Sequence, residues 1–185
     1  MSQAKTHVLA FSIVAGLLGA FPIQAQNSAS QHLDNGAKKM TSSADTVFAM
    51  KAAQGGMAEV KLGQLAAEKA SDPDVKAFAQ KMVDDHSKAN DQLKSVASAE
   101  NMTLPTDLDA KDQSEYQKLS QLSGPAFDKA YMKGMVKDHE TDVKEFQKEA
   151  NSGKDPQLKQ FASTTLPILQ SHLDMAKSTD AKVGK

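Results

Sequence analysis

The sequence predicts an all-α fold, a ferritin-like bundle of four long helices with a short extra helix between the second and the third. From Asp45 onward, Ala, Lys, Gln, Glu, Leu and Met dominate, and β-branched residues never cluster. Apolar residues recur three and four positions apart along each long segment, which gives each helix one face for a core. Proline and glycine signals separate these segments.

The first 25 residues have the layout of a secretory signal peptide. Lys5 and His7 precede an uncharged apolar run from Val8 to Phe21, and a cleavage site follows at Ala25. The run is too short and too rich in Gly and Ala for a membrane span. We therefore predict export to the periplasm or cell envelope, with no transmembrane span after cleavage.

Residues 26–44 are rich in Ser, Gln, Asn and Lys without periodicity, which predicts a flexible tether before a bundle at residues 45–180. The 160 residues left after cleavage suit one domain. Every basic residue is lysine, the net charge is -1, and arginine and tryptophan are absent, so we predict no nucleic-acid partner. The absence of cysteine excludes disulfides, thiolate ligands and a lipid-modified cysteine.

The first hairpin is predicted from its boundary residues. Helix 1 should run from about Asp45 to Ala70, and helix 2 should start at Asp72-Pro73, a cap followed by a first-turn proline. Leu104-Pro105 ends helix 2, and residues 106–123 form a connector with a short helix. Two adjacent glycines, Gly55-Gly56, interrupt helix 1, and we expect a close approach of a neighbouring segment there.

The second hairpin has matching signals. Helix 3 should follow Ser123-Gly124-Pro125 and stop at Asn151-Ser152-Gly153, and helix 4 should begin at Asp155-Pro156, with a kink at Pro167. Asp72-Pro73 recurs as Asp155-Pro156 after a shift of 83 residues, and other short matches share that shift. A duplicated helical hairpin would leave such a pattern, and chance could also produce it.

The pentapeptide Met-Val-x-Asp-His occurs twice, ending at His86 and at His139, and each histidine shares the phase of the apolar residues. Glu59 and His172 occupy the corresponding faces of the other two helices. At about 1.5 Å per residue, all four lie roughly 18–24 Å from the nearest hairpin turn, near mid-height. The sequence therefore predicts one buried central layer and, as one interpretation, a metal site formed by Glu59, His86, His139 and His172.

The residues near these histidines in the sequence limit which metal such a site would hold. A di-iron site of the ferritin kind needs Glu-x-x-His on two helices, and Val83, Val136 and Leu169 occupy those glutamate positions. Met82 and Met135 each lie four residues before a histidine, so they are candidate soft ligands that would favour copper over zinc or iron. Methionine at helical spacing is also common core filler.

The alternative interpretation contains no metal. Asp85, Asp138 and Asp142 adjoin the histidines, and a buried histidine–carboxylate network can satisfy its own members. The bundle would then be structural, or would bind a protein partner in the envelope during stress. No nucleophile or substrate cradle accompanies the Asp-His pairs, so we do not predict an enzyme.

Several motifs together resemble one known family. They are residues 53–60, residues 78–90, the pentapeptide at residues 135–139, and Thr165-Leu166-Pro167 with His172. In this order they are similar to the exported bacterial family called domain of unknown function 4142, over residues 45–178. The resemblance implies a ferritin-like four-helix bundle of uncharacterised activity, in a family often labelled predicted outer membrane protein.

Overall fold

The computed structural model describes residues 42–185, and every regular element in that range is a helix. The four long helices are α1 (Ser43–Lys69), α2 (Pro73–Ala99), α4 (Gly124–Ser152) and α5 (Pro156–Val183). The short helix α3 (Ala110–Ser120) lies in the connection between α2 and α4. The predicted all-α bundle with a short connector helix is confirmed. The predicted signal peptide and residues 26–41 of the predicted tether lie outside the described residues.

The helix boundaries follow from local capping chemistry. α1 begins at Ser43, two residues before the predicted start, because the Ser42 side chain accepts a hydrogen bond from the Asp45 backbone N–H. Asp72 and Asp155 cap α2 and α5 in the same way, each before a first-turn proline. α5 continues through Pro167 and extends to Val183, beyond the predicted end of the bundle.

The long helices form two antiparallel hairpins, α1 with α2 and α4 with α5, which meet along α1–α4 and α2–α5. Polar contacts near the two ends of α2 show that it runs antiparallel to α5: Asp74 binds Lys182, and Glu100 binds Gln157. The chain must therefore return along the bundle between α2 and α4, and α3 packs on α1 and α4 on the way. One long crossover of this kind is a feature of ferritin-like bundles.

Two buried aspartates join the hairpins reciprocally. The Asp45 carboxylate at the start of α1 accepts hydrogen bonds from the backbone N–H groups of Lys154 and Asp155, in the α4–α5 turn. The Asp128 carboxylate near the start of α4 accepts the equivalent bonds from Ser71 and Asp72, in the α1–α2 turn. Each hairpin therefore supplies the carboxylate that satisfies the turn of the other.

The core is divided into two apolar clusters. One contains Phe78, Met82, Tyr131 and Met135 with their neighbours, and the other contains Phe48, Leu93, Phe146 and Phe161 with theirs. On each long helix, the ionisable residue of the predicted layer has residues of one apolar cluster on one side along the helix and residues of the other cluster on the other side. Within residues 42–185, no helix combines the length and the apolar character that crossing a membrane requires.

The glycine pair of α1 divides into two different environments. A Cβ on Gly56 would lie 2.1 Å from Oδ1 of Asn90 on α2, so this glycine permits the predicted close approach. A Cβ on Gly55 would meet nothing within 4 Å. Close packing therefore explains Gly56 but not Gly55, which borders two cavities described below.

Candidate metal centre

Three buried imidazoles meet between the apolar clusters. His86 comes from α2, His139 from α4 and His172 from α5, and their ring centroids are 5.4–5.7 Å apart. One potential ligand atom from each lies within 4.8 Å of those from the other two. The three side chains are 6%, 0% and 1% exposed, respectively. The helical phase that places them inward thus also brings them together at one level of the bundle.

Hydrogen bonds on the outer side fix two of these rings. Nδ1 of His139 lies 3.0 Å from the carbonyl oxygen of Met135, one turn earlier on α4, and can only donate to it. Nε2 of His172 lies 2.9 Å from Oδ2 of Asp85 on α2. When Nδ1 of His139 and Nε2 of His172 each carry a proton, Nε2 of His139 and Nδ1 of His172 keep free lone pairs.

Asp85 is held as an ionised acceptor for His172. Burial acts to raise the Asp85 pKa, but hydrogen bonds from Lys81 and His172 outweigh it and hold that pKa below its usual range. The Lys81 ammonium lies 2.8 Å from the same Oδ2 atom. A carboxylate behind a histidine fixes its tautomer and orientation, as in carboxylate–histidine–metal arrangements.

The inner nitrogens of the rings have no partner among the described residues. Nε2 of His86, Nε2 of His139 and Nδ1 of His172 are buried, and none makes a hydrogen bond within residues 42–185. Buried polar atoms without a partner are rare, and each costs about 1–3 kcal/mol. Three of them in one cluster indicate a site for something other than a protein side chain.

The imidazoles are also neutral. Burial, and then the two neighbouring imidazoles, lower the pKa of His86 to about 3. Burial lowers the pKa of His172 to about 4, against the opposing effect of its hydrogen bond to Asp85. Burial likewise lowers the pKa of His139, against the opposing effect of Asp142. Neutral imidazole is the form that binds a metal ion, so no deprotonation is needed near neutral pH.

Glu59 lies in the predicted layer but outside the histidine cluster. Its Oε1 atom is 3.6 Å from Nδ1 of His139, the nitrogen on the outer side of that ring. Burial, and then the charge of Asp138, raise the pKa of Glu59 well above its usual range. With His139 neutral, this contact is not an ion pair. Among residues 42–185, the group whose ligand atoms converge holds the three histidines and not Glu59.

The predicted soft ligands, Met82 and Met135, are fully buried in the apolar cluster that contains Phe78. Their part in metal binding stays a prediction. Asp85 precedes His86 in the sequence, but the histidine that it binds is His172, on another helix. The helical phase could have indicated an outward-facing Asp85, whereas the His172 contact depends on how α2 packs against α5.

A cavity of about 20 Å³ adjoins His86, and its wall also includes Gly55, Gly56 and Asp142. This volume accommodates about one water molecule. Burial, and then the charge of Glu59, raise the pKa of Asp142 to about 7. The histidine cluster therefore borders a space of the size of a single small occupant.

Comparison with known proteins supports the fold and one family. A family model described as "Domain of unknown function (DUF4142)" matches residues 30–179. A comparison with curated proteins finds no match. The crystal structure of a DUF305 fragment from Deinococcus radiodurans is similar with a TM-score of 0.66 at 11% identity, over 78% of this chain and 97% of that one.

A DUF305 protein from Streptomyces coelicolor, whose description suggests secretion, also has a TM-score of 0.66, at 15% identity. The match covers 76% of this chain and 92% of that one. At such identities the likeness shows a shared helical fold.

Proposed function

The chain belongs to the DUF4142 family, and from the geometry of its histidine cluster we propose that it is an exported metal-binding protein that holds one ion between His86, His139 and His172. Export to the periplasm or cell envelope rests on the signal-like residues 1–25. The observation that carries the metal proposal is the set of three buried imidazole nitrogens without partners.

The ligand set favours copper or zinc over iron. Three neutral imidazoles suit both ions, and a three-histidine set leaves a further position open for water or another ligand. Copper binds nitrogen sites most tightly among the divalent first-row metals, so Cu²⁺ is the most sensitive probe. In this proposal, Glu59 supports His139 from behind, and Met82 or Met135 could add a soft ligand only by moving out of the apolar cluster.

The hydrogen bonds predict which atoms coordinate. His172 would bind through Nδ1, because Asp85 occupies its Nε2, and His139 would bind through Nε2, because the Met135 carbonyl occupies its Nδ1. The opposite tautomers of these two rings can be identified by nitrogen NMR of the zinc-bound protein. Coordination through the other nitrogens would contradict the assignment.

The rival proposal is a metal-free polar core in a structural or protein-interaction bundle. The bonds of His139 and His172 to protein oxygens fit that proposal, and buried water could serve the inner nitrogens. The two proposals differ in what happens when metal is added, because an ion that binds only the folded protein stabilises it.

Metal content and thermal unfolding test the proposal. Protein purified from its native compartment should contain about one equivalent of metal, and micromolar Cu²⁺ or Zn²⁺ should raise the unfolding temperature of chelator-treated protein. A His86→Ala/His139→Ala double variant should lose that shift. If neither ion nor Fe²⁺ moves the midpoint beyond the scatter of chelated controls, the metal-free core is correct.

A matched pair of variants tests the role of Asp85. Asp85→Asn removes the anionic acceptor behind His172 and should weaken metal binding by about 10–100-fold. The control is Asp84→Asn, because Asp84 is the exposed neighbour and binds Gln80 on the same helix rather than a histidine. Equal metal affinities of the two variants would remove Asp85 from the site.

A further inference from the structure

The buried histidine cluster raises the question of how an ion would reach it. A second cavity, of about 190 Å³, lies between α1, α4 and the start of α3. Exposed residues such as Lys51, Lys111 and Thr141 lie at its rim, and buried Glu59 lines its inner end. We call this cavity the acidic vestibule. It connects an exposed surface to a residue that contacts His139.

The vestibule has more acidic than basic side chains. Six carboxyl groups and three lysines line it. Lys51 is paired with Glu145, and Lys111 lies 3.7 Å from both Asp112 and Asp138. Within the described range, neither Glu59 nor Asp142 has a lysine at ion-pair distance. The inner end of the vestibule therefore holds two carboxyl groups that no lysine among residues 42–185 accompanies.

An unsatisfied atom at that end points to a cation. Glu59 is only 3% exposed, and its buried Oε2 atom has no hydrogen-bond partner in the described part of the chain. A buried carboxylate oxygen normally accepts hydrogen bonds or binds a positive ion. A cation passing this point would meet an acceptor that no protein donor occupies.

The vestibule and the small cavity beside His86 share two wall residues, Gly55 and Asp142. Gly55 has no side chain, and a Cβ there would extend into open space. A larger residue at this position would fill the partition between the two cavities. This placement accounts for a helical glycine that close packing does not explain.

We propose that metal cations reach the histidine cluster through the acidic vestibule, with Glu59 and Asp142 as transient carboxylate ligands and Gly55 keeping the inner passage open. This inference rests on the proposed metal site. A groove between α2 and α5 also borders the small cavity, through Ala89, Phe161 and Thr165. That groove is mainly apolar, and the acidic residue in its wall, Asp85, is already paired with Lys81 and His172, so the groove offers little attraction to a cation.

The test separates the rate of metal uptake from the affinity. Metal-free protein is mixed rapidly with Cu²⁺ alone, and the copper–imidazole absorption is followed with time. Gly55→Leu should slow uptake and release together by about tenfold or more, because the ion must wait for local opening of the helices. The equilibrium affinity should stay close to that of the wild type, since all three histidines are retained.

Two further variants make the result unambiguous. Asp142→Asn keeps the shape of the passage but removes a carboxyl group, so at a pH above 7, where Asp142 is ionised, uptake should slow and depend less on ionic strength. Thr164→Trp obstructs the groove instead, at a residue that does not line the small cavity, and should leave the uptake rate within about twofold, if electrostatic attraction directs ions to the vestibule.

Wild-type uptake rates in folded Gly55→Leu and Asp142→Asn would overturn the route while leaving the metal site intact. Slower uptake in Thr164→Trp alone would assign access to the α2–α5 groove and would also overturn it. If wild-type protein binds no Cu²⁺ at equilibrium, the metal site itself is wrong, and the route fails with it.

Discussion

His86 offers a sharp test of whether the histidine cluster is built for an ion or for internal hydrogen bonding. In metal-free protein, we expect His86→Leu to equal or exceed the wild-type stability. Leucine fills a similar volume and removes a buried nitrogen that has no protein partner. Leaving such an atom unsatisfied costs about 1–3 kcal/mol, and replacing it with an apolar group recovers part of that cost.

His86→Ala should behave differently. The His86 side chain is 6% exposed and packs against both other rings, so truncation leaves a cavity in a crowded layer. Such a cavity costs on the order of 2–3 kcal/mol, offset in part because the unsatisfied nitrogen is also removed. We therefore expect the alanine variant to be about 1–3 kcal/mol less stable than the leucine variant.

Urea unfolding followed by far-ultraviolet circular dichroism measures both differences, with chelator present throughout. Repeating the titration with Cu²⁺ should stabilise the wild type and neither variant. A loss of more than about 2 kcal/mol in metal-free His86→Leu would refute the reasoning, because it would show that His86 makes stabilising hydrogen bonds, for example through buried water.

Three further predictions concern stability. Gly55→Ala should stabilise the protein by about 0.5–1 kcal/mol through helix propensity, whereas Gly56→Ala should stabilise it less, because the Asn90 side chain on α2 must move aside, as urea unfolding would show. Asp128→Ala should cost on the order of 3 kcal/mol, because the turn donors lose a buried acceptor. The exposed Asp91→Ala should cost less than about 0.5 kcal/mol by the same measurement. Burial, and then Asp45, raise the pKa of Glu149 to about 6, so its contribution to stability is full below the unfolded pKa near 4.5 and is lost as pH rises through 6. Glu149→Gln should therefore match the wild type at pH 4.5 and exceed it at pH 7.5 in thermal unfolding.

Much of the fold could be predicted from the sequence because its information is local. The caps at Asp72 and Asp155, each followed by proline, fix where α2 and α5 begin. The depth of the histidines also follows from local facts, since helical rise and apolar phase are set along each helix separately.

Tertiary partners could not be predicted in this way. The pairing of Asp85 with His172 depends on the rotation of α2 against α5, and the role of Gly56 depends on where Asn90 packs. The reciprocal aspartates were missed too, although a signal was present. Asp45 and Asp128 are separated by the same 83 residues as the two Asp-Pro caps.

The two reciprocal turns give the repeat a structural counterpart, since residues related by the shift of 83 occupy equivalent places in the two hairpins. The shift takes each histidine to a residue without an imidazole: Leu169 for His86, Gly56 for His139 and Ala89 for His172. All three of those residues line the small cavity beside His86.

The two halves therefore fill the centre of the bundle unequally. Glu59 and Asp142 are related by the same shift, so both halves have a carboxyl group at this position. The imidazoles are not repeated in this way. If both halves carried rings at every equivalent position, six imidazoles would crowd one layer and leave no central space. Because one half presents glycine, alanine and leucine instead, the departure from symmetry creates the room beside His86 that an ion and its water could occupy.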